Sequence, residues 1–315
     1  MTLTQLGAFV LVARLGTVKA AATALGVSEP AVSQALAALR QHLGDPLLVR
    51  ASGGMTLTPG GNRLLPIASQ LVALGAEAEA AIRSAQGAPE RLRVVATSSI
   101  AEFVATPLLD TFSRRSAGAV EATSGVAAEA EMPVLVTNRL ADIALGPDLR
   151  GHPDLGLVSE PIFRYRLVVV GANRSRLPGT AASWPWLVDP AGTDAGSDIG
   201  GLLRRLRVPD SRVRVFPNQA AAWAAAAGGA GVAPAVAHLV APQLRRGELS
   251  IVDMPATPVE SCWYATTLGR DRRPAAAGSL RHFLGTPEAM QLMRSPGTGL
   301  PPSRFRPPVF VTIWS

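Results

Sequence analysis

Lysine, cysteine and tyrosine are nearly missing from this sequence. Lys19 is the sole lysine, so a net charge of +7 rests almost wholly on arginine. Cys262 is the sole cysteine, which excludes an internal disulfide framework. Inside the apolar run at 261–265 it reads as a buried thiol on a strand. No stretch reaches the roughly eighteen uninterrupted apolar residues of a membrane span. Residues 1–5 lack the basic start and apolar run of a secretion signal. A cytoplasmic protein with no membrane partner is therefore expected. Metal-ligand spacing is missing too, because His42, His152, His238 and His282 are scattered. Residues 195–200 fail as a nucleophile elbow, since Ala195 stands where that turn requires glycine. The glycines at 228–231 make neither a dinucleotide fingerprint nor a Walker loop. No catalytic residue, metal or cofactor is expected.

What is present is 315 residues, 48% of them hydrophobic and 17% charged. That is too long for one ordinary domain and apolar enough for packed cores, so two or three domains are expected. Residues 1–66 carry Arg14, Lys19, Arg40, Arg50 and Arg63 against Glu29 and Asp45, an excess of three positive charges. Such a balance permits a polyanion partner and is equally compatible with a solvated surface.

Three short amphipathic helices open the chain. Leu6, Phe9, Val10 and Ala13 share one face, and Gly16 ends the first helix. Thr17 can cap a second, with Val18, Ala21, Ala22 and Leu25 facing inward and Gly26 as its stop. Only Val27 separates that stop from the next cap, Ser28. So tight a joint forces two helices to cross steeply, as in a helix-turn-helix. The third helix places Pro30 in its first turn and buries Val32, Ala35, Leu36, Leu39 and Leu43. Its opposite face offers Glu29, Ser33, Gln34, Ala37, Arg40 and Gln41. Small and amide side chains near a helix start suit a major groove, where glutamine can pair with adenine; an ordinary solvated face would have the same pattern. Strand-like runs at 46–50 and 55–57 flank residues 51–54 as a hairpin. A wing of that kind brings Arg50 to a phosphate or the minor groove.

The run TVKAAATALGVSEPAVSQALAAL at 17–39, then LGDPLLVR at 43–50 and LTPGG at 57–61, resembles the signature of the LysR family of bacterial transcription regulators. That family often has glutamine or serine where Glu29 and Pro30 stand. The resemblance implies a winged helix-turn-helix over 1–58 with a recognition helix containing Ala-Val-Ser-Gln. Thr17, Ser28, Pro30, Ser33, Gln34 and Arg50 are the candidate DNA-contacting residues. It also implies a connecting helix over 59–87 that pairs with the same helix of a second subunit.

That helix should start at Thr58 and Pro59 and run to about Gln86, bent near Pro66. Its stripe, with Leu64, Leu71 and Val72 as candidate dimer contacts, needs burial, and a segment bridging two domains has little of its own chain to bury against. Residues 87–90 read as a hinge.

From Leu92 strands and helices alternate: strands at 92–96, 140–146, 165–170 and 212–216, an alanine-rich helix at 219–227, and a turn and strand at 228–233. Such alternation gives parallel sheets with covering helices, an α/β fold. It resembles the LysR effector domain, which is related to periplasmic binding proteins. The resemblance implies an effector domain over 92–294: lobe one at 92–162 plus 266–294, including a helix at 275–293, and lobe two at 163–265. Crossovers fall near 161–163 and 265–267. Pro133 is a departure where the family has an uninterrupted helix. The proline-rich tail at 295–315 lies beyond the resemblance.

Ligands of such domains sit at strand ends and helix starts, where free N–H groups favour anions. Thr97, Ser98, Ser99, Gly146 and Asn218 occupy such places, so a small polar or anionic effector is expected; capping and turn formation would place the same residues there. The function implied is a sequence-specific regulator on inverted-repeat double-stranded DNA. It acts as a homodimer or homotetramer, answers to a small-molecule effector, and has RNA polymerase as a further partner. The rivals are an enzyme or transport-type binding protein on the same lobes, and an architectural DNA binder whose cleft binds nothing.

Overall fold

The computed structural model describes residues 1–51, 54–151, 155–173 and 179–295. The tail at 296–315 lies outside them. Helix α1 (Leu3–Leu15) begins with a reciprocal cap: the Thr2 hydroxyl accepts from the Gln5 N–H, and the Gln5 side chain accepts from the Thr2 N–H. Gly16, at φ +77°, turns the chain out of the helix, and the Thr17 hydroxyl caps α2 (Val18–Leu25) by accepting from Ala20 N–H at 3.0 Å. Ser28 caps α3 (Glu29–Leu43), with Pro30 in the first turn. Val32, Leu36 and Leu39 join Phe9, Val10, Leu11, Ala21 and Ala22 in one buried cluster. Leu43 does not join it; as the last residue of α3, at the rim of the bundle, it is 40% exposed.

Strands β1 (Leu48–Ala51) and β2 (Gly54–Leu57) pair antiparallel, with Arg50 opposite Met55. The hairpin tip at 52–53 falls outside the described residues. Helix α4 (Pro59–Ala85) starts at Thr58, whose hydroxyl accepts from Gly61 N–H at 2.9 Å and donates to Asp45 at 2.8 Å. A Cβ on Gly61 would lie 2.1 Å from the Leu47 carbonyl oxygen, so only glycine lets α4 abut the hairpin this closely. The helix continues through Pro66.

The remainder is one nine-stranded sheet in the order β4-β3-β5-β11-β6-β9-β7-β8, with β10 also on β6. Its first half holds β3 (Glu90–Ala96), β4 (Val120–Val126) and β5 (Ile143–Gly146) in parallel. Around them lie α5 (Ser98–Ile100), a π turn at Ala101–Ala105, α6 (Thr106–Arg115) and α7 (Met132–Thr137). Pro133 sits in the first turn of α7, where it starts the helix without breaking it.

The long strand β6 (Leu157–Ala172) leads to the second half. There β7 (Trp186–Val188), β8 (Val213–Val215) and β9 (Val232–Val236) pair in parallel, with β10 (Leu249–Ile251) at one side. Helices α8 (Asp198–Arg205), α9 (Gln219–Ala227) and α10 (Ala241–Arg245) accompany them. Strand β11 (Val259–Leu268) then returns antiparallel beside β6. The stretches 161–163 and 265–267 thus lie inside two hydrogen-bonded strands, with Tyr264 opposite Pro161 and an irregularity between Trp263 and Tyr264.

The helix expected at 275–293 is two helices, α11 (Ala275–Leu284) and α12 (Pro287–Arg294). Pro287 cannot continue α11, and Thr286 caps the new helix instead. The strand expected at 140–146 is shortened to Ile143–Gly146 because Arg139, at φ +54°, turns the chain just before it.

Candidate functional site

One candidate surface is the outer face of α3. Ser28, Glu29, Pro30, Ser33, Gln34 and Ala37 are all exposed on it, with Thr17 and Lys19 exposed on the neighbouring helix. The Thr17 and Ser28 hydroxyls accept cap hydrogen bonds, which leaves their protons free to donate to phosphate oxygens. Arg50 is exposed on the hairpin. Arg40 departs from the expected face: its guanidinium donates to the Leu48 carbonyl at 3.3 Å and ties α3 to β1.

The other candidate is a cleft of about 530 Å³ between the two halves of the sheet. Residues just past the ends of β3, β4, β5 and β7 line it, because parallel strands leave a crevice at their carboxyl ends. Thr97, Ser98, Ser99 and Gly146 are all at its wall. A Cβ on Gly146 would lie 3.0 Å from both Met132 Sδ and Thr97 Cγ2, so glycine keeps this corner tight. Asn218 is not among the described lining residues; its side chain caps α9 by accepting from Ala221 N–H at 2.9 Å. Capping, not lining, explains it. Cys262 is half-buried on the wall of the cleft instead of buried, because β11 faces that space here.

Two polar links join the halves beneath the cleft. The Ser98 hydroxyl donates to the buried carboxylate of Asp189. Glu102, in the π turn and 4% exposed, accepts from the Gln219 and Ala220 N–H groups at the start of α9, both at 3.1 Å. Burial pushes the Glu102 carboxyl up to about 7 against the pull of those two donors. Above it lie Glu129 from the first half and Asp194 and Asp198 from the second. Burial, then Asp198 and Asp194, push Glu129 up to about 7 as well. Burial likewise raises Asp189 and Glu131. The Tyr165 hydroxyl donates to Asp198 and is itself raised by burial and by that carboxylate.

A carboxyl whose pKa is higher folded than unfolded binds more protons in the folded state, so stability falls as pH rises. For Glu102 and Glu129 the window runs from the ordinary 4.5 up to about 7. The melting temperature should therefore fall across that interval and level off above it. Replacing both with glutamine should flatten the profile, and an unchanged slope in melts of the double variant would contradict the assignment.

Residues 3–62 match the family model described as "Bacterial regulatory helix-turn-helix protein, lysR family", and residues 85–286 match the "LysR substrate binding domain". The chain belongs to the LysR family. Along its whole length this LysR-type regulator is 35% identical to an uncharacterized HTH-type transcriptional regulator of Mycobacterium tuberculosis, covering 100% of both chains. It is 29% identical to the regulator CfxR of Cupriavidus necator, over 96% of this chain and 97% of that one. Among solved structures, ArgP from Mycobacterium tuberculosis has a TM-score of 0.53 at 23% identity, covering 89% of this chain and 95% of that one. A full-length AphB variant reaches 0.60 at 18% identity, over 90% and 98%. These structures share the fold. The regulator thus combines a DNA-binding helix-turn-helix with an effector-binding domain, and its family consists of oligomeric transcription regulators and not enzymes.

The acidic residues of the cleft escaped sequence reading. Asp189 follows a three-residue strand too short to show a pattern, and Glu129 lies in a loop after β4. Glu102 sits in a helical run whose neighbours Phe103 and Val104 read as core. Asp198 did carry a signal, since a serine at 197 before it marks a helix start, and Ser197 does accept from Gly200 N–H at 3.0 Å.

Proposed function

We propose that this regulator reads an inverted repeat as a dimer, and that an effector held in the cleft changes how its two recognition helices are spaced. The cleft carries the reading: it spans both halves of the effector domain, and its floor is crossed by the Ser98–Asp189 and Glu102–α9 links. A guest there changes the relation of the halves, and differential binding to two arrangements is what shifts a population. Ser99, buried at the cleft wall, tests the placement. Ser99→Ala removes a hydroxyl and no core volume, so a ligand found by thermal shift should bind the variant more weakly while the fold persists. Undiminished affinity would remove Ser99 from the site. A cleft that stabilises with no metabolite would favour the architectural alternative.

A second copy is the proposed cover for α4. Leu64, Leu71 and Val72, the expected dimer contacts, are half-buried and pack on the cluster built around α1, which leaves them less surface to offer. The uncovered stripe is instead Ile67, Leu74 and Ile82, at 54%, 58% and 61% exposure. Ala78, Ala81 and Ala85, also exposed, fill the stripe between and beside them. By length and composition Pro59–Arg83 is apolar enough to cross a membrane, and 11% of its eighteen-residue apolar window is buried. One side of the helix already carries α1, and Glu77 on it pairs with Arg139 at 2.5 Å. Those contacts tie α4 to its own protein and favour a matching helix as the cover for its free side.

On DNA, Gln34→Ala is expected to cost about 1–3 kcal/mol on the specific site and little on random sequence, as loss of a base contact does. Equal loss on both in gel-shift titrations would show that Gln34 does not read bases. Arg50→Ala should weaken every sequence alike and make the log-log salt dependence shallower by about one. A changed site preference with an unchanged salt slope would contradict a phosphate role.

A further inference from the structure

We infer that the effector is a small organic cation, an ammonium or guanidinium compound, gripped between Glu129 on one half of the domain and Asp194 and Asp198 on the other. This rests on the reading of the cleft as the effector site.

Charge is the first argument. Six of the described lining side chains are carboxylates, against one arginine, Arg164, which is exposed. Asp148 is answered by Arg150 at 2.5 Å. No ion pair forms at Glu129, Asp189, Asp194 or Asp198 among the described residues. The Glu129 carboxylate lies close across the cleft, its Oε2 3.4 Å from where a Cβ on Gly196 would stand. Like charges facing one another across a gap keep the halves apart, and a cation between them turns that repulsion into attraction.

The second argument is independent of charge. Gln219 lines the cleft at 6% exposure, and its side-chain carbonyl Oε1 is buried with no hydrogen-bond donor. A buried acceptor left unpaired is costly and is satisfied by an incoming N–H.

Third, the donors that the second half of the domain turns toward the cleft are already occupied. Glu102 takes the Gln219 and Ala220 N–H groups of α9, Ser197 takes the Gly200 N–H of α8, and Asp194 takes the Gly196 N–H. An anionic guest therefore finds the donors at the starts of α8 and α9 taken by the protein's own side chains. Trp263, Tyr165 and Tyr264 add aromatic surface, which a cation tolerates and can use. Among the described residues no three carboxylates come together as metal ligands do, so the site suits an organic cation spread over several contacts. Its volume is that of a small-molecule pocket.

The test is a thermal-shift and calorimetric titration of the full-length protein with putrescine, agmatine and arginine, against succinate and butyrate. At a hundredfold excess over Kd a true ligand should raise the melting temperature by roughly 5 °C. At least one cation should do so, and both carboxylates should not. Glu129→Gln with Asp198→Asn should weaken that binding at least about tenfold, while circular dichroism confirms the fold. Ala128→Trp, which fills the cleft from an exposed position, should abolish it. Binding of carboxylates alone, blocked by Ala128→Trp, would overturn the cation assignment and leave the cleft as the effector site. Cation binding indifferent to all three substitutions would overturn both. Silence from every cation in the panel would overturn the assignment.

Discussion

Charge placed on the uncovered stripe of α4 should leave the protein monomeric. With Leu74→Glu and Ile82→Glu together, light scattering is expected to report the mass of one chain at concentrations where the wild type should be a dimer. Each aliphatic side chain buried at an interface contributes about 1.5–3 kcal/mol. A twofold interface counts every substitution twice, so the dimer dissociation constant should rise more than roughly a thousandfold. Both residues are more than half exposed in the single chain, so the fold has little to lose. Operator binding should suffer in step, because on the proposed reading two half-sites one helical turn apart are held by two linked recognition helices. The same changes at Leu64 or Val72, which pack on the chain's own core, should destabilise the N-terminal domain first. A dimer that survives Leu74→Glu with Ile82→Glu would place the interface elsewhere.

The largest stability loss is expected at Glu102. Its carboxylate receives two N–H groups from α9, more than a hundred residues away, and is almost wholly enclosed. Glu102→Ala leaves those donors buried and unpaired and opens a void beside Asp189. The cost should be roughly 2–4 kcal/mol, or a melting temperature lower by roughly 5–15 °C. Glu102→Gln keeps an acceptor and removes a charge that Asp189 opposes, so it should melt much closer to wild type above neutral pH. If the alanine variant melts within about 1 °C of wild type, the link between the two halves carries no stability.

Local signals were legible wherever a few neighbouring residues decide the outcome. Gly16 and Gly26 at positive φ, the caps at Thr17 and Ser28, and the apolar faces of α1 to α3 were all present in the sequence at short range. The connecting helix was legible for the same reason. Its uncovered side was not, because α1 competes for one flank of α4 and periodicity cannot say which flank α1 will take. In the effector domain the strand-end residues Thr97, Ser98, Ser99 and Gly146 could be placed from the alternation of strands and helices. Asn218 looked the same in sequence and became a cap, since the loop after β8 aims it along α9.

The family and the winged helix-turn-helix were legible in the chain because both follow from motifs and spacings within short windows. The chemistry of the cleft depends on contacts that no short window holds. Glu129, Asp189, Asp194 and Asp198 are distant or unremarkable along the chain. They meet because β6 and β11 join two parallel halves of one sheet, whose carboxyl ends face one crevice. A carboxylate in sequence is a solvated charge; enclosed opposite others of its kind, it holds its proton to higher pH unless a cation sits between them.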